Sequence, residues 1–272
     1  MAELPSIVFL GAGQIAEAII GGVLDSRLVS PSQITATDVR PDRLAELASS
    51  LGIRTSHSNT EAASHGEIVI LTVKPQDVTR LLAEVGPVLG AEQLVVSVAA
   101  GVPIRTIQRS LPGPTPVIRV MPNTPALVRA GMAVLALGEF ARPRDEELAT
   151  KIFSAVGQAV TLPEAYLNAV TGLSGSGPAF VALFIEALIE GGVRVGLARD
   201  VATTLAVQTT LGTAQMILET QKHPAILREM VSSPGGTTMA GVHALELGGL
   251  RGTVMNAIVA ATERSRELGK IE

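Results

Sequence analysis

The 272-residue chain has no cysteine and no tryptophan, and its aromatic side chains are five phenylalanines and one tyrosine. Without cysteine there can be no disulfides, thiolate metal sites or cysteine nucleophile, a pattern that fits a reducing, cytoplasmic setting. With so few rings, the interior has to be built from Ala, Val, Ile and Leu, which lets helices approach closely. The net charge of −4 and a pI near 5.7 supply no cationic field for a phosphate backbone, and there are few aromatics on which bases could stack. Nucleic acid is therefore not an expected partner. The N-terminus lacks the basic start and long apolar stretch of a signal peptide. The longest uncharged run, Tyr166 to Ile185, has the length of a membrane span, but its middle, Thr171 to Pro178, is polar and turn-rich. It reads as a loop feeding a helix, so no membrane partner is expected. The four histidines show no metal-ligand spacing. His57 and His65 lie in a polar connecting region, His223 precedes a proline and His243 falls in a helical pattern, so each reads as a surface or capping residue and no metal is expected.

What is present points to two domains. Hydrophobic residues make up 47% and charged residues 17%, with mean hydropathy +0.40, enough for a large core. The first half alternates β-branched runs with amphipathic segments, the pattern of βαβ units on a parallel sheet. Strands are predicted at Ile7–Leu10, Ile34–Thr37, Ile68–Val73, Leu94–Ala99, Val117–Met121 and Met132–Leu137. Helices are predicted at Ile15–Leu24, Arg43–Leu51, Val78–Val85 and Ile104–Leu111, with Pro41, Pro75 and Pro103 standing where a missing N–H costs least. After Pro163 strand-like runs stop, and helices are predicted at Pro178–Val193, Asp200–Thr220 (Asp200 as N-cap), Pro224–Val231, Thr238–Leu247 and Thr253–Leu268. The expected fold is α/β: a Rossmann-type doubly wound sheet over 1–163, followed by an all-α dimerisation and substrate-binding domain over 164–272.

Gly11-Ala12-Gly13-Gln14-Ile15-Ala16 follows the first strand and opens a helix, the G-x-G-x-x-G/A fingerprint in its strand–turn–helix setting. Gly11 permits the turn, Gly13 lets backbone approach a pyrophosphate, and the helix N-terminus favours the anion. Asp38, ending the second strand, is placed for the adenosine ribose hydroxyls, which favours NAD. Arg40 and Arg43 stand nearby and could pair with a 2′-phosphate, so these residues leave NAD and NADP both open. Thr72-Val73-Lys74-Pro75 and Val98-Ala99-Ala100-Gly101 also stand at strand C-termini, the edge where open α/β sheets bind ligands.

Six strings, in order along nearly the whole chain, resemble one family. The strings are Phe9 to Gln14, Val73-Lys74-Pro75, Val96 to Val102, Arg119 to Pro125, Thr171 to Ala179 and Ser232-Ser233-Pro234-Gly235-Gly236-Thr237-Thr238. Together they are similar to pyrroline-5-carboxylate reductases. The resemblance implies NAD(P)H-dependent reduction of 1-pyrroline-5-carboxylate to L-proline, with self-association as a dimer or a multiple of dimers. It also implies that Leu10 to Ile15, Asn59, Thr72 to Pro75 and Val98 to Ala100 line the cofactor. Glu164 and the loop holding Ser233, Gly235, Gly236, Thr237 and Thr238 would meet substrate, the loop coming from a partner subunit. A small hydroxyl residue often stands in NADPH-preferring relatives where this chain has Asp38.

The chemistry can be argued from the residues as well. Ketone reduction calls for an acid to protonate an alkoxide, yet Arg194 is the only basic residue between Pro178 and Leu197. A protonated cyclic imine needs orientation and a carboxylate anchor more than a strong acid. Two glycines followed by hydroxyl residues at a helix start offer that anchor, with Thr238 bonding the ring nitrogen or the carboxylate. Read locally, the same segment is equally an ordinary turn with Thr237 or Thr238 as N-cap. Three rivals rank lower. A β-hydroxyacid dehydrogenase would carry a lysine within Pro178–Val193, which has none. A hydrolase would need a last glycine after Ser174 that Ser176 replaces. A dinucleotide-binding redox sensor would bind without reducing an imine.

Overall fold

A computed structural model describes residues 4–269, and contacts divide the chain into two compact units. The first runs to Ser176 and takes in the chain's end from Ala260; the second is Gly177–Val259. The division thus falls later in the chain than the change of class at Pro163.

The first unit is a Rossmann-type layer structure. In chain order it comprises β1 (Ile7–Leu10), α1 (Gln14–Asp25), β2 (Ile34–Thr37), α2 (Pro41–Leu51), β3 (Arg54–Ser56), α3 (Asn59–His65), β4 (Ile68–Leu71) and α4 (Val78–Val85). It continues with β5 (Leu94–Ser97), α5 (Ile104–Arg109), β6 (Val117–Met121), β7 (Gly131–Leu137), α6 (Pro143–Ser154), β8 (Gly157–Thr161) and α7 (Leu167–Val170). The eight strands lie in the order β3-β2-β1-β4-β5-β6-β7-β8. Leu10 pairs in register with Thr37 on one side and Leu71 on the other, so β1 sits where the winding reverses. Ligands of open α/β sheets bind at such a crevice.

Burial on both faces explains the unbroken apolar strands. Ile7 and Phe9 enter one core layer with Ile19, Leu47 and Phe153, whereas Val8 and Leu10 enter the other with Ala63, Leu82 and Ile107. The sheet is not wholly parallel as expected: β7 runs antiparallel to β6. Residues 122–130 between them form only a 3₁₀ turn, Thr124–Val128, too short for the dozen or so residues of a parallel crossover. The strands β3 and β8 and the helices α3 and α6 carry no expectation from the sequence. The first two are short edge strands with largely exposed residues, so no apolar run marks them.

The stretch Thr171–Gly175 is not the expected loop. It forms a π-helical turn closed by Ser176 N–H donating to Thr171 O at 2.8 Å. Asn123 anchors it, its amide donating to Ser174 O at 3.0 Å and its Oδ1 accepting from Met132 N–H at 2.8 Å. With that turn, Glu164–Arg194 becomes one helical run whose length and apolar composition would suffice to cross a membrane.

The second unit is helical: α8 (Gly177–Arg194), α9 (Arg199–Thr220), α10 (Pro224–Met230), α11 (Thr237–Leu247) and most of α12 (Leu250–Leu268). Asp200 is not the N-cap of α9. Ala198 holds that position in extended conformation, and Asp200 falls in the first turn, where its charge still complements the helix dipole.

Candidate active site

The glycine turn is shaped by two different demands. Gly11 has φ +103°, and a Cβ there would stand 2.9 Å from the backbone of Thr72 and Val73. Only glycine allows β1 to turn so close beside β4. Gly13 has an ordinary φ of −71°, and a Cβ on it would meet nothing within 4 Å. Protein packing therefore does not require glycine there, and the space it leaves belongs to a cleft of about 860 Å³.

That cleft is lined by Gly11, Gly13, Asp38, Arg40, Asn59, Thr72, Val73 and Lys74. Each is a residue expected at the cofactor from the sequence. Leu10 and Ala12 are buried beneath the turn, Gln14 and Ile15 open α1, and Pro75 and Val98 to Ala100 lie outside the cleft lining. His57, Gln76, Asp77, Arg80 and Glu84 line it too, and sequence reasoning missed them. His57, read as a plain surface residue, is exposed but faces this cleft. The signal for the others was their place just past β4, Gln76 and Asp77 in the 3₁₀ turn Pro75–Asp77 and Arg80 and Glu84 on α4, at the ligand edge of the sheet.

Hydrogen bonds fix most of this lining. Asp38 Oδ2 accepts the Ala12 N–H at 2.9 Å, and its Oδ1 accepts from Arg40 N–H at 3.0 Å and Arg40 Nε at 3.2 Å. Burial pushes the Asp38 carboxyl up, but these bonds from Ala12 and Arg40 outweigh it and hold it below the ordinary carboxylate value. Thr72 Oγ1 donates to Gly11 O at 2.6 Å and locks the turn to the end of β4. Thr37 Oγ1 donates to Asn59 Oδ1 at 2.6 Å, and Asn59 Nδ2 donates to Glu84 at 3.2 Å. Arg43 donates to Ala12 O and pairs with Glu17 and Glu46; bonding to Glu17 and then Glu46 raises its already high pKa. Arg80 pairs with Asp77, and among the described residues Lys74 is the cleft cation with no carboxylate partner.

The fit to a dinucleotide is good. The first N–H groups of α1 have no partner within the helix, the dipole favours a pyrophosphate there, and Gly13 clears the approach. Among the described residues no cluster of His, Cys, Asp and Glu could hold a metal.

Glu164, expected from the sequence to meet substrate, is held within the first unit by two contacts. Its Oε1 accepts the Ile104 N–H at 2.8 Å, capping α5, and pairs with Arg119 Nη1 at 3.1 Å.

In the second unit, the loop before α11 is open. Gly235 has φ +65°, and Gly236, not a threonine, is the N-cap of α11, without a side-chain cap bond. Thr237 and Thr238 therefore occupy the first helical turn. Among the described residues the hydroxyls of Ser233, Thr237 and Thr238 have no hydrogen-bond partner in the chain, and Ser233 and Thr237 are exposed. Ser233 sits against Gly236, whose added Cβ would come within 2.3 Å of its Oγ.

Comparison with known proteins agrees with both halves. Residues 164–268 match the family model described as pyrroline-5-carboxylate reductase dimerisation. Residues 6–101 match that described as NADP oxidoreductase coenzyme F420-dependent. The chain is 47% identical over 268 residues to a pyrroline-5-carboxylate reductase of Methanosarcina acetivorans, covering 98% of this chain and 99% of that one. A solved pyrroline-5-carboxylate reductase of Coxiella burnetii superposes with TM-score 0.92 at 36% identity, over 97% of this chain and 98% of that one. A pyrroline carboxylate reductase of Plasmodium falciparum, solved with NADP bound, gives 0.89 at 29% identity over 99% and 100%. With likeness of this degree along its whole length, the chain belongs to the pyrroline-5-carboxylate reductase family.

Proposed function

We propose that this protein reduces 1-pyrroline-5-carboxylate to L-proline with NAD(P)H, the last step of proline biosynthesis, as a dimer or a multiple of dimers. The observation that carries this reading is the 47% identity over 98% of the chain, which spans both the glycine turn and the hydroxyl-bearing loop. Bound in the cleft, the dinucleotide supplies a hydride. The turn Leu10 to Ile15 receives its pyrophosphate at the start of α1, Asp38 and Arg40 flank the adenosine ribose, and Asn59, Thr72 to Pro75 and Val98 to Ala100 complete the lining.

The substrate's C=N nitrogen, once protonated, already carries positive charge, so hydride arrival neutralises charge and creates no oxyanion. The chain then has to orient the ring and hold its carboxylate. Ser233, Gly235, Gly236 and Thr237 hold the carboxylate through N–H and O–H donors, and Thr238 bonds the ring nitrogen or the carboxylate. A helix N-terminus contributes about 0.3–1 kcal/mol toward such an anion when exposed and up to ~2 when partly buried. Glu164, held in place by Arg119 and the start of α5, meets substrate.

Self-association follows from the apolar surface of the second unit. Leu183 is 66% exposed, and Val181, Phe184 and Leu188 are exposed beside it on α8. Such a surface supports a subunit interface there.

Purified protein mixed with pyrroline-5-carboxylate and NADH or NADPH should lose nicotinamide absorbance in step with proline formation. Absence of that loss with both dinucleotides would remove the reading, and a monomer by light scattering would remove the self-association.

A further inference from the structure

The two nicotinamide dinucleotides differ only at the adenosine 2′ position, and the cleft is lined by a carboxylate, Asp38. Resting on the dinucleotide reading above, we propose that Asp38 makes this enzyme select NADH and reject the 2′-phosphate of NADPH. An acidic residue at the end of the second strand is placed to accept from ribose hydroxyls, and Asp38 stands there, lining the cleft with its side chain only 11% exposed.

The carboxylate is anchored at both oxygens. Oδ2 takes the Ala12 N–H and Oδ1 takes two donors from Arg40. Swinging the side chain away would strand the Ala12 N–H under the glycine turn. A carboxylate oxygen has two acceptor directions, so Oδ2 keeps one for a ribose hydroxyl. A phosphate in place of that hydroxyl has no proton to give and brings roughly −1.5 to −2 charge.

The arginines nearby are each engaged with oxygens of the chain. Arg43 gives its guanidinium to Ala12 O, Glu17 and Glu46 and is 11% exposed. Arg40 is tied through Nε to Asp38 itself, and Arg80 to Asp77. Lys74 follows β4, on the other side of β1 from β2, whose end carries Asp38. The carboxylate also stays ionised at neutral pH: burial alone would raise its pKa, but the bonds from Ala12 and Arg40 lower it overall.

Binding measured without turnover tests this. NADH and NADPH would each be titrated calorimetrically into the whole protein, together with 5′-ADP and 2′,5′-ADP, which lack the nicotinamide. NADH is expected to bind at least about tenfold more tightly than NADPH, a difference of about 1.4 kcal/mol, and 5′-ADP more tightly than 2′,5′-ADP. Asp38→Ser and Asp38→Asn should each shrink that ratio roughly tenfold, chiefly by tightening NADPH. Asp38→Asn keeps an oxygen for the Ala12 N–H, so it decides the matter should the serine variant fail to fold. NADPH binding as tightly as NADH, or a ratio unmoved in both variants, overturns the proposal. NADH selection without turnover of pyrroline-5-carboxylate would support it while removing the substrate reading, and failure of both dinucleotides to bind would remove both.

Discussion

Arg119 Nη1 lies 3.1 Å from Glu164 Oε1, and the same oxygen accepts the Ile104 N–H at 2.8 Å. One carboxylate thus ties the middle of β6 to the start of α5. The arginine side chain is 7% exposed and the glutamate 33%. Removing one partner of a buried pair typically costs ~3–5 kcal/mol because the other charge is left alone. The partial exposure of Glu164 lowers this, so Glu164→Ala should lose roughly 2–4 kcal/mol. Glu164→Gln, which still offers an oxygen to Ile104, should lose less. Urea unfolding at one fixed protein concentration would check both, since an oligomer's stability depends on concentration. Equal losses would show that the cap bond contributes nothing.

The glycine turn gives a paired prediction. Gly11→Ala forces a Cβ onto a φ of +103° against the backbone of Thr72, so it should destabilise the fold by about 1–3 kcal/mol and abolish dinucleotide binding. Gly13→Ala places its methyl in open space and should leave stability within about 1 kcal/mol of the parent. It should nevertheless weaken NADH binding at least about tenfold, since the methyl enters the space assigned to pyrophosphate. Melting temperature read beside a fluorescence titration separates the two effects.

Acid stability should carry the mark of Asp38. Its folded pKa is depressed from the reference 3.8, because the bonds from Ala12 and Arg40 overcome the opposing effect of burial. The stabilisation is therefore complete above that reference value and is lost as pH falls through the lower folded-state value. Asp38→Asn has no such proton to take up, so its melting temperature should fall less steeply with acid than the parent's. Parallel curves through that range would contradict the depressed pKa.

Thr238→Ala should lower kcat/KM for pyrroline-5-carboxylate by roughly ten- to a hundredfold, about 1.4–2.7 kcal/mol of lost transition-state binding. Thr238 is part-buried in the first turn of α11 and is not its N-cap, so the melting temperature should hardly move. Unchanged kinetics would reject its place at the substrate.

How much could be read in advance depended on what each element buries. β1, β2 and β6 were legible to the residue because both their faces are covered. β3 and β8 were not, since Arg54 and Thr161 sit on exposed edges that carry no apolar alternation. The polarity of β7 was hidden in the shortness of residues 122–130 rather than in its own apolar run. At the site, Gly11, Asp38 and Thr72 announced themselves by their positions at strand ends. His57, Arg80 and Glu84 did not, because a charged or polar residue on an exposed bend or helix looks the same in sequence whether it faces bulk water or a cleft. The loop at Gly235–Thr238 was legible as donors, but its N-cap was not, since glycine and threonine both serve there.

The alternation along β1 has a dynamic consequence. Ile7 and Phe9 belong to one apolar layer while Val8 and Leu10 belong to the other, so neither layer can open without breaking the strand they share. Local fluctuations that release α2 or α4 leave the centre of the sheet intact, and its amides exchange with solvent only through global unfolding. Hydrogen–deuterium exchange should accordingly be slowest at Val8, Val69 and Val95, and the glycine turn rides directly on this rigid spine. The turn therefore meets its ligand already in shape, and little ordering entropy opposes capture.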